Sequence, residues 1–179
     1  MIEIKYIDTH SENYPFMEKL LESSFPADER RDRNIQRLFA DTKKIFYSNI
    51  VLDDDKPVGL INYWCLDKVY YIEHFAVSPL LRNRGYGEKI LSLVKTMLSD
   101  KPIILEVEMP VGEMERRRVA FYERNGFVKH DIKYVQPPYR KNGNSINMNI
   151  MFYGKDLLAL DMDDVVESLH KEVYGFSSL

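Results

Sequence analysis

The sequence predicts an α+β protein whose sheet is mostly antiparallel and flanked by helices. Strand-like segments over 2–7, 44–52 and 58–66 come first, and the acidic turn Asp53-Asp54-Asp55-Lys56-Pro57 joins the second to the third as a hairpin. Residues 70–98, YYIEHFAVSPLLRNRGYGEKILSLVKTML, then read as strand, glycine-bearing loop and helix. A third observation is the strand-like run over 103–109 beyond that helix. Strands joined through a crossover helix run parallel, so one parallel pair is expected in a sheet that is otherwise antiparallel.

Each element has its own signal. Residues 2–7 alternate apolar and polar side chains, as a short first strand does. Over 14–24, Phe16, Leu20 and Leu21 recur at helical spacing. Phe25-Pro26 interrupts them, and Pro26-Ala27-Asp28-Glu29-Arg30 has the proline and acidic residues of a second helix start, which would run to about residue 40. The charge cluster DERRDR within it reads as a solvated helix face. In the central strand, 70–77, aromatic and β-branched residues dominate, and Ser78-Pro79 closes it because proline removes a ladder donor. The following helix carries a stripe of Tyr86, Ile90, Leu93, Val94 and Met97. Asp100-Lys101-Pro102 and Pro110-Val111-Gly112 bound the next strand. Residues 113–125 are helical, with acidic residues in the first turn and Gly126 as C′ residue. A strand over about 127–135, a turn-rich loop over 136–144 and a strand over 146–153 follow. An amphipathic helix over 155–174 carries Leu157, Leu158, Leu160, Val165, Leu169 and Val173. One domain over 1–154 with a helical extension over 155–179 packed on it is the expected organisation.

Composition narrows the function. At 179 residues, 45% hydrophobic and 30% charged, the chain builds a core without disulfides or metal staples. A formal net charge of −3 provides no overall basic field for nucleic acid or anionic lipid. The single cysteine, Cys65, excludes an intrachain disulfide and a thiolate metal cluster, and no metal site is expected. The N-terminal residues lack the basic and apolar regions of a signal peptide and no run approaches membrane-spanning length, so a cytoplasmic protein is expected.

The loop Arg82-Asn83-Arg84-Gly85-Tyr86-Gly87 between strand and helix has the makings of an anion site. Unpaired amides and the positive end of the helix dipole converge there, and glycines let a ligand approach the backbone. It lacks the Gly-Lys-Ser/Thr ending of a P-loop, and Ile90 stands where a dinucleotide fingerprint has its third glycine. What remains, Arg82-x-x-Gly85-x-Gly87 after Ala76-Val77, resembles the acetyl-CoA pyrophosphate loop of the GNAT superfamily of N-acetyltransferases, Q/R-x-x-G-x-G/A. A second segment, Phe121-Tyr122-Glu123-Arg124 with Gly126-Phe127, resembles the family's A-x-x-x-Y-E-K-x-G-F, one helix and one strand later. The resemblance covers roughly residues 1–153. Many members carry an asparagine near the start of this late helix, where the present chain has Glu115-Arg116-Arg117-Arg118.

The resemblance implies a GNAT-like sheet whose parallel strand pair splays around acetyl-CoA. The pantetheine arm would lie along Phe75, Ala76 and Val77, and the pyrophosphate against the amides of Asn83, Arg84, Gly85, Tyr86, Gly87 and Glu88, with Arg82 opening the motif. It implies direct transfer of the acetyl group to a primary amine, with Tyr122 where the family's thiolate-protonating tyrosine stands and a central-strand N–H, Val77's by analogy, on the carbonyl oxygen. An ammonium group near neutral pH needs a base. Glu73 shares strand parity with Tyr71, Phe75 and Val77. Glu106 lies in Leu105-Glu106-Val107, which looks like the L-E-V segment carrying a base in some N-terminal acetyltransferases. Glu108 shares its face. His74, pointing opposite to Glu73, and Cys65 read as packed residues.

The expected partner is an amine-bearing acceptor, small molecule or peptide, walled by residues 25–30 and 136–144. Neither nucleic acid nor membrane is expected, and a homodimer is compatible with the sequence. Two rival readings are a non-catalytic acetyl-CoA-binding module, which needs the loop but not Tyr122 or a carboxylate, and a nucleic-acid-binding domain using the arginines.

Overall fold

A computed structural model describes residues 1–154 and 159–176 of the chain. Eight strands form one sheet in the order β1-β2-β3-β4-β5-β8-β6, with β7 also paired to β8. The strands are β1 (Ile2–Tyr6), β2 (Phe46–Asp53), β3 (Lys56–Cys65), β4 (Tyr70–Val77), β5 (Ile103–Glu108), β6 (Val128–Lys129), β7 (Tyr134–Gln136) and β8 (Ile146–Tyr153). The helices among the described residues are α1 (Tyr14–Ser24), α2 (Arg33–Thr42), α3 (Tyr86–Met97), α4 (Glu113–Arg124) and α5 (Met162–Leu169). Every strand pair is antiparallel except β4 and β5. The expected α+β architecture is thus present, including the single parallel pair made by the β4–α3–β5 crossover.

The sheet is covered on both faces. On one, α3 and α4 bury Ile90, Leu91, Val94 and Tyr122 against Ile61, Ile72, Leu105, Val107 and Met151. On the other, α5 sets Val165 and Leu169 over Trp64, Tyr71, Ile104 and Ile150, while α1 sets Met17, Leu20 and Leu21 over Ile50, Leu60 and Ala76. Clusters of this size exclude water from the sheet centre, which strengthens any electrostatic contact formed there.

Three expected elements differ. The second helix does not begin at Pro26: Ala27–Glu29 is one 3-10 turn, Arg30 is extended at φ −151°, and α2 starts at Arg33. The extended link turns Arg31 inward, so the DERRDR cluster is not simply a solvated face: Arg31 is only 4% exposed. The strand expected over 127–135 is two short strands, because five steps from Lys129 to Tyr134 oppose three from Met151 to Met148, and the surplus loops out. The terminal helix spans Met162–Leu169 and continues as a π-helical turn over His170–Tyr174. Leu157 and Leu158 of the expected stripe lie outside the described residues.

Candidate active site

β4 and β5 are paired at only three positions, Tyr70 with Ile103, Tyr71 with Ile104 and Ile72 with Leu105. Beyond them the strands part, leaving one side of β4 without a neighbouring strand from Glu73 to Val77. Ser78 donates its N–H to Val58 on β3 at 2.8 Å, so strand alternation turns the N–H and C=O of Phe75 and Val77 to the open side. A central strand thus carries an edge inside the sheet.

A groove of about 400 Å³ follows this edge on the α3–α4 face. Its walls include Phe75 and Val77 of β4, Arg82, Asn83, Gly85, Tyr86, Gly87 and Glu88 of the loop and first turn of α3, and Phe121 and Tyr122 of α4. The loop bends through two left-handed residues, Asn83 at φ 60° and Gly85 at φ 79°. Gly85 is the N-cap of α3 and supplies no side-chain acceptor to the first-turn amides. Uncapped amides at the positive end of a twelve-residue helix suit a phosphate. A Cβ at Gly87 would stand 3.1 Å from the Phe121 ring, so this glycine also lets α4 approach α3 closely. Of the residues expected here, Arg84 of the loop does not line the groove, and Ala76 of β4 turns its side chain to the α1 face.

Tyr122 is 9% exposed in the groove wall, and burial pushes its phenol up to about 12 against the opposing pull of Arg118. It therefore keeps its proton near neutral pH and can donate it.

On the opposite face lies a chamber of about 60 Å³, lined by Phe25, Glu29, Tyr71, Glu73, His74, Glu106, Glu108, Arg118, Gln136, Tyr139, Ile146 and Met148. Arg118 borders both cavities, which back onto each other at the split, and it pairs with Glu108. Both expected walls, residues 25–30 and 136–144, contribute.

The two candidate bases have opposite environments. A bulge in β4, where Asn62 pairs with His74 but Tyr63 with Ile72, places one extra residue at Glu73. It corrects the expected parity: Glu73 and His74 both face the chamber side, with Glu73 Oε2 3.8 Å from His74 Nδ1, while Phe75 and Val77 face the groove. The Glu73 side chain is wholly buried and held at both oxygens by Arg31, at 2.9 and 2.5 Å, and at Oε2 by Trp64 Nε1 at 2.9 Å. Burial pushes its carboxyl up, but the Arg31 guanidinium and the hydrogen bonds hold it below the usual range. Arg31 also donates to the Val173 carbonyl at 3.0 Å and lies 4.9–5.8 Å from the rings of Phe39, Trp64, Tyr139 and Phe46.

Glu106 has no cationic partner among the described residues. It accepts from the hydroxyls of Tyr71 (3.1 Å), Tyr174 (2.7 Å) and Tyr134 and from the amide of Gln136. Burial raises its carboxyl above the ordinary range despite these four donors. Tyr134, Gln136 and Tyr174 carry no motif, and sequence reading missed this cage. Among the described residues no group of three or more His, Cys, Asp or Glu side chains is placed to hold a metal ion, and no helix is long and apolar enough to cross a membrane.

One parallel pair thus splits the sheet, with an uncapped helix start on one face and a caged carboxylate on the other. The chain belongs to the acetyltransferase (GNAT) family, whose model matches residues 10–127. A Bacteroides thetaiotaomicron structure assigned to the GNAT family of acetyltransferases is 41% identical, with a TM-score of 0.93 over 98% of this chain and 99% of that one. More distant structures share the fold. An aminoglycoside 6'-N-acetyltransferase complexed with coenzyme A is 17% identical, with a TM-score of 0.60 over 84% of this chain and 96% of that one. Arabidopsis thaliana Naa50 in complex with the bisubstrate analogue CoA-Ac-MVNAL is 20% identical, with a TM-score of 0.61 over 86% and 98%. Among curated proteins none matches the sequence.

Proposed function

We propose that the protein is an N-acetyltransferase that moves an acetyl group from acetyl-CoA directly to a primary amine in a ternary complex. The observation that carries this reading is the meeting of groove and chamber at the β4–β5 split, with Tyr122 in the wall of one, Glu106 in the wall of the other and Arg118 bordering both. The groove suits the donor: an open strand edge for an amide-bearing arm, then uncapped helix amides beside Arg82 for phosphates. Bound there, acetyl-CoA supplies an activated acetyl thioester.

The chain's residues then have distinct tasks. Glu106 takes a proton from the amine, directly or through a water. A carboxyl raised by burial is a stronger base than Glu73, which stays ionised and occupied by Arg31. The outward N–H of Val77 holds the carbonyl oxygen as negative charge develops on it. Tyr122 gives its hydroxyl proton to the departing sulfur and is reprotonated from solvent. Glu73 positions strand and loop rather than moving protons. The test is calorimetry with acetyl-CoA followed by an acceptor screen read as release of free thiol. Tight donor binding with acceptor-dependent thiol release is expected, and binding without thiol release across a broad amine set would leave only a binding module.

A further inference from the structure

The chamber contains a feature that acetyl transfer does not by itself require. His74 is 1% exposed, and its Nε2 lies 3.0 Å from the backbone carbonyl of Glu29. A carbonyl can only accept, so Nε2 carries the hydrogen and Nδ1 presents a lone pair. That Nδ1 is buried and has no hydrogen-bond partner among the described residues. The groups facing the imidazole are the Glu73 carboxylate, 3.8 Å from Nδ1, the ring of Phe25 at 4.6 Å and the ring of Tyr139 at 6.1 Å. Arg31 and Arg30 add positive charge nearby, and burial keeps the ring neutral. Across Tyr139, whose ring lies 4.9 Å from that of Tyr174, sits Glu106 with neutral donors only.

Among the described residues, the chamber wall therefore holds an unused lone pair and a carboxylate without a cation. An orphaned buried acceptor is costly, and so is a buried charge without a counter-ion. The complementary ligand is a group with several N–H donors, one positive charge and no acceptor, which is an ammonium. At about 15 Å³ per water-sized group, 60 Å³ admits a nitrogen and about three methylenes. Phe25, Ile146 and Met148 give the stem an apolar wall, while Glu29 and Glu108 oppose a second anion.

We propose that the acceptor is a compact alkylammonium, a primary amine on an unbranched methylene stem without an adjacent carboxylate, held by the Nδ1 lone pair of His74 and the Glu106 carboxylate. This specificity rests on the acetyl-transfer reading, but its test is a binding measurement made apart from turnover. A free alkylamine and a lysine side chain share the chemistry.

The experiment is calorimetry on the full chain with coenzyme A bound, titrating n-butylamine hydrochloride, Nα-acetyl-lysine amide, alaninamide and 1-butanol. Butylamine should bind at least about tenfold more tightly than alaninamide, whose amine sits on a branched carbon, and than butanol, which has no charge. Acetyl-lysine amide matching butylamine identifies a lysine side chain as the source, and weaker binding identifies a free amine; either result upholds the chemistry. His74→Gln, which can set its amide N–H against the Glu29 carbonyl but leaves no acceptor at the Nδ1 position, should weaken butylamine about tenfold, the size of a lost hydrogen bond to a charged group. His74→Asn, with an acceptor near the Nδ1 position, should recover most of that loss. Glu106→Gln tests the counter-ion should the His74 variants not fold, and should weaken butylamine more than butanol. Butanol or alaninamide binding as well as butylamine overturns the proposal, as does unchanged butylamine affinity in folded His74→Gln or Glu106→Gln. Failure of acetyl-CoA itself to bind would instead remove the acetyl-transfer reading.

Discussion

Glu73 and Glu106 show how neighbours give two buried carboxylates opposite environments. Glu106 is raised by burial, so the fold favours its protonated form, and that contribution to stability is lost as pH rises through its folded-state value. Glu106→Gln should therefore melt no lower than the parent in mild acid and progressively higher than it toward alkaline pH, measured as Tm against pH. The same variant should lower kcat by on the order of a hundredfold or more and flatten the acid limb of its pH profile, the signature of a lost base. A stable variant with an unchanged acid limb would assign the proton to bulk water. Tyr122 gives a cleaner contrast, because its hydroxyl has no hydrogen-bond partner among the described residues, so Tyr122→Phe removes a proton and no structural bond. Thermal stability and acetyl-CoA affinity should hold while turnover falls by about a hundredfold or more. Full activity in that variant would end the assignment.

At the scale of elements, the bulge in β4 and the extended link before α2 form one device. The bulge turns Glu73 toward the side covered by α2 and α5, and the link delivers Arg31 to it, with the Val173 carbonyl from the π-helical turn as a third anchor. Removing one member strands the other's charge in the core, so Arg31→Met should cost about 3–5 kcal/mol in denaturant unfolding. The double variant Arg31→Met/Glu73→Gln should recover much of the loss, since no bare charge is left. Glu73 is depressed below its ordinary value, so its contribution is present above the usual carboxylate range and fades as pH falls through the folded-state value. None of this was legible in the sequence. A bulge inverts strand parity through one extra residue that alternation cannot reveal, which is why Glu73 was expected beside Phe75. DERRDR has the composition of a surface, and only a partner 42 residues away makes Arg31 internal.

At the scale of the molecule, legibility followed locality. The hairpin, the crossover helix and the Arg82–Gly87 loop announce themselves because turn residues and helix starts are decided within a few positions. The groove proposed for the donor was readable for the same reason. The chamber was not, because its walls come from residues 25–29, β4, β5, α4, β7 with its following loop and β8, with the terminal turn reaching Glu106 through Tyr174, segments brought together only by the closed sheet. The cage around Glu106 draws three of its four donors from beyond residue 127, where the family match ends.

The internal edge of β4 has a consequence in time as well as in shape. Amides at the centre of a sheet are ordinarily the last to exchange with solvent, opening only with the whole fold, while those at its rim exchange first. Here the order should invert locally. The N–H groups of Phe75 and Val77 face the split rather than a neighbouring strand, so they should take up deuterium orders of magnitude faster than Leu60 and Ile61 on the adjoining β3. A donor laid along that edge should slow just these amides and leave the rest of β4 unchanged. Mass-resolved exchange of the free and acetyl-CoA-loaded protein would read this directly, and slow exchange at Phe75 and Val77 in the free protein would show that the split is closed in solution.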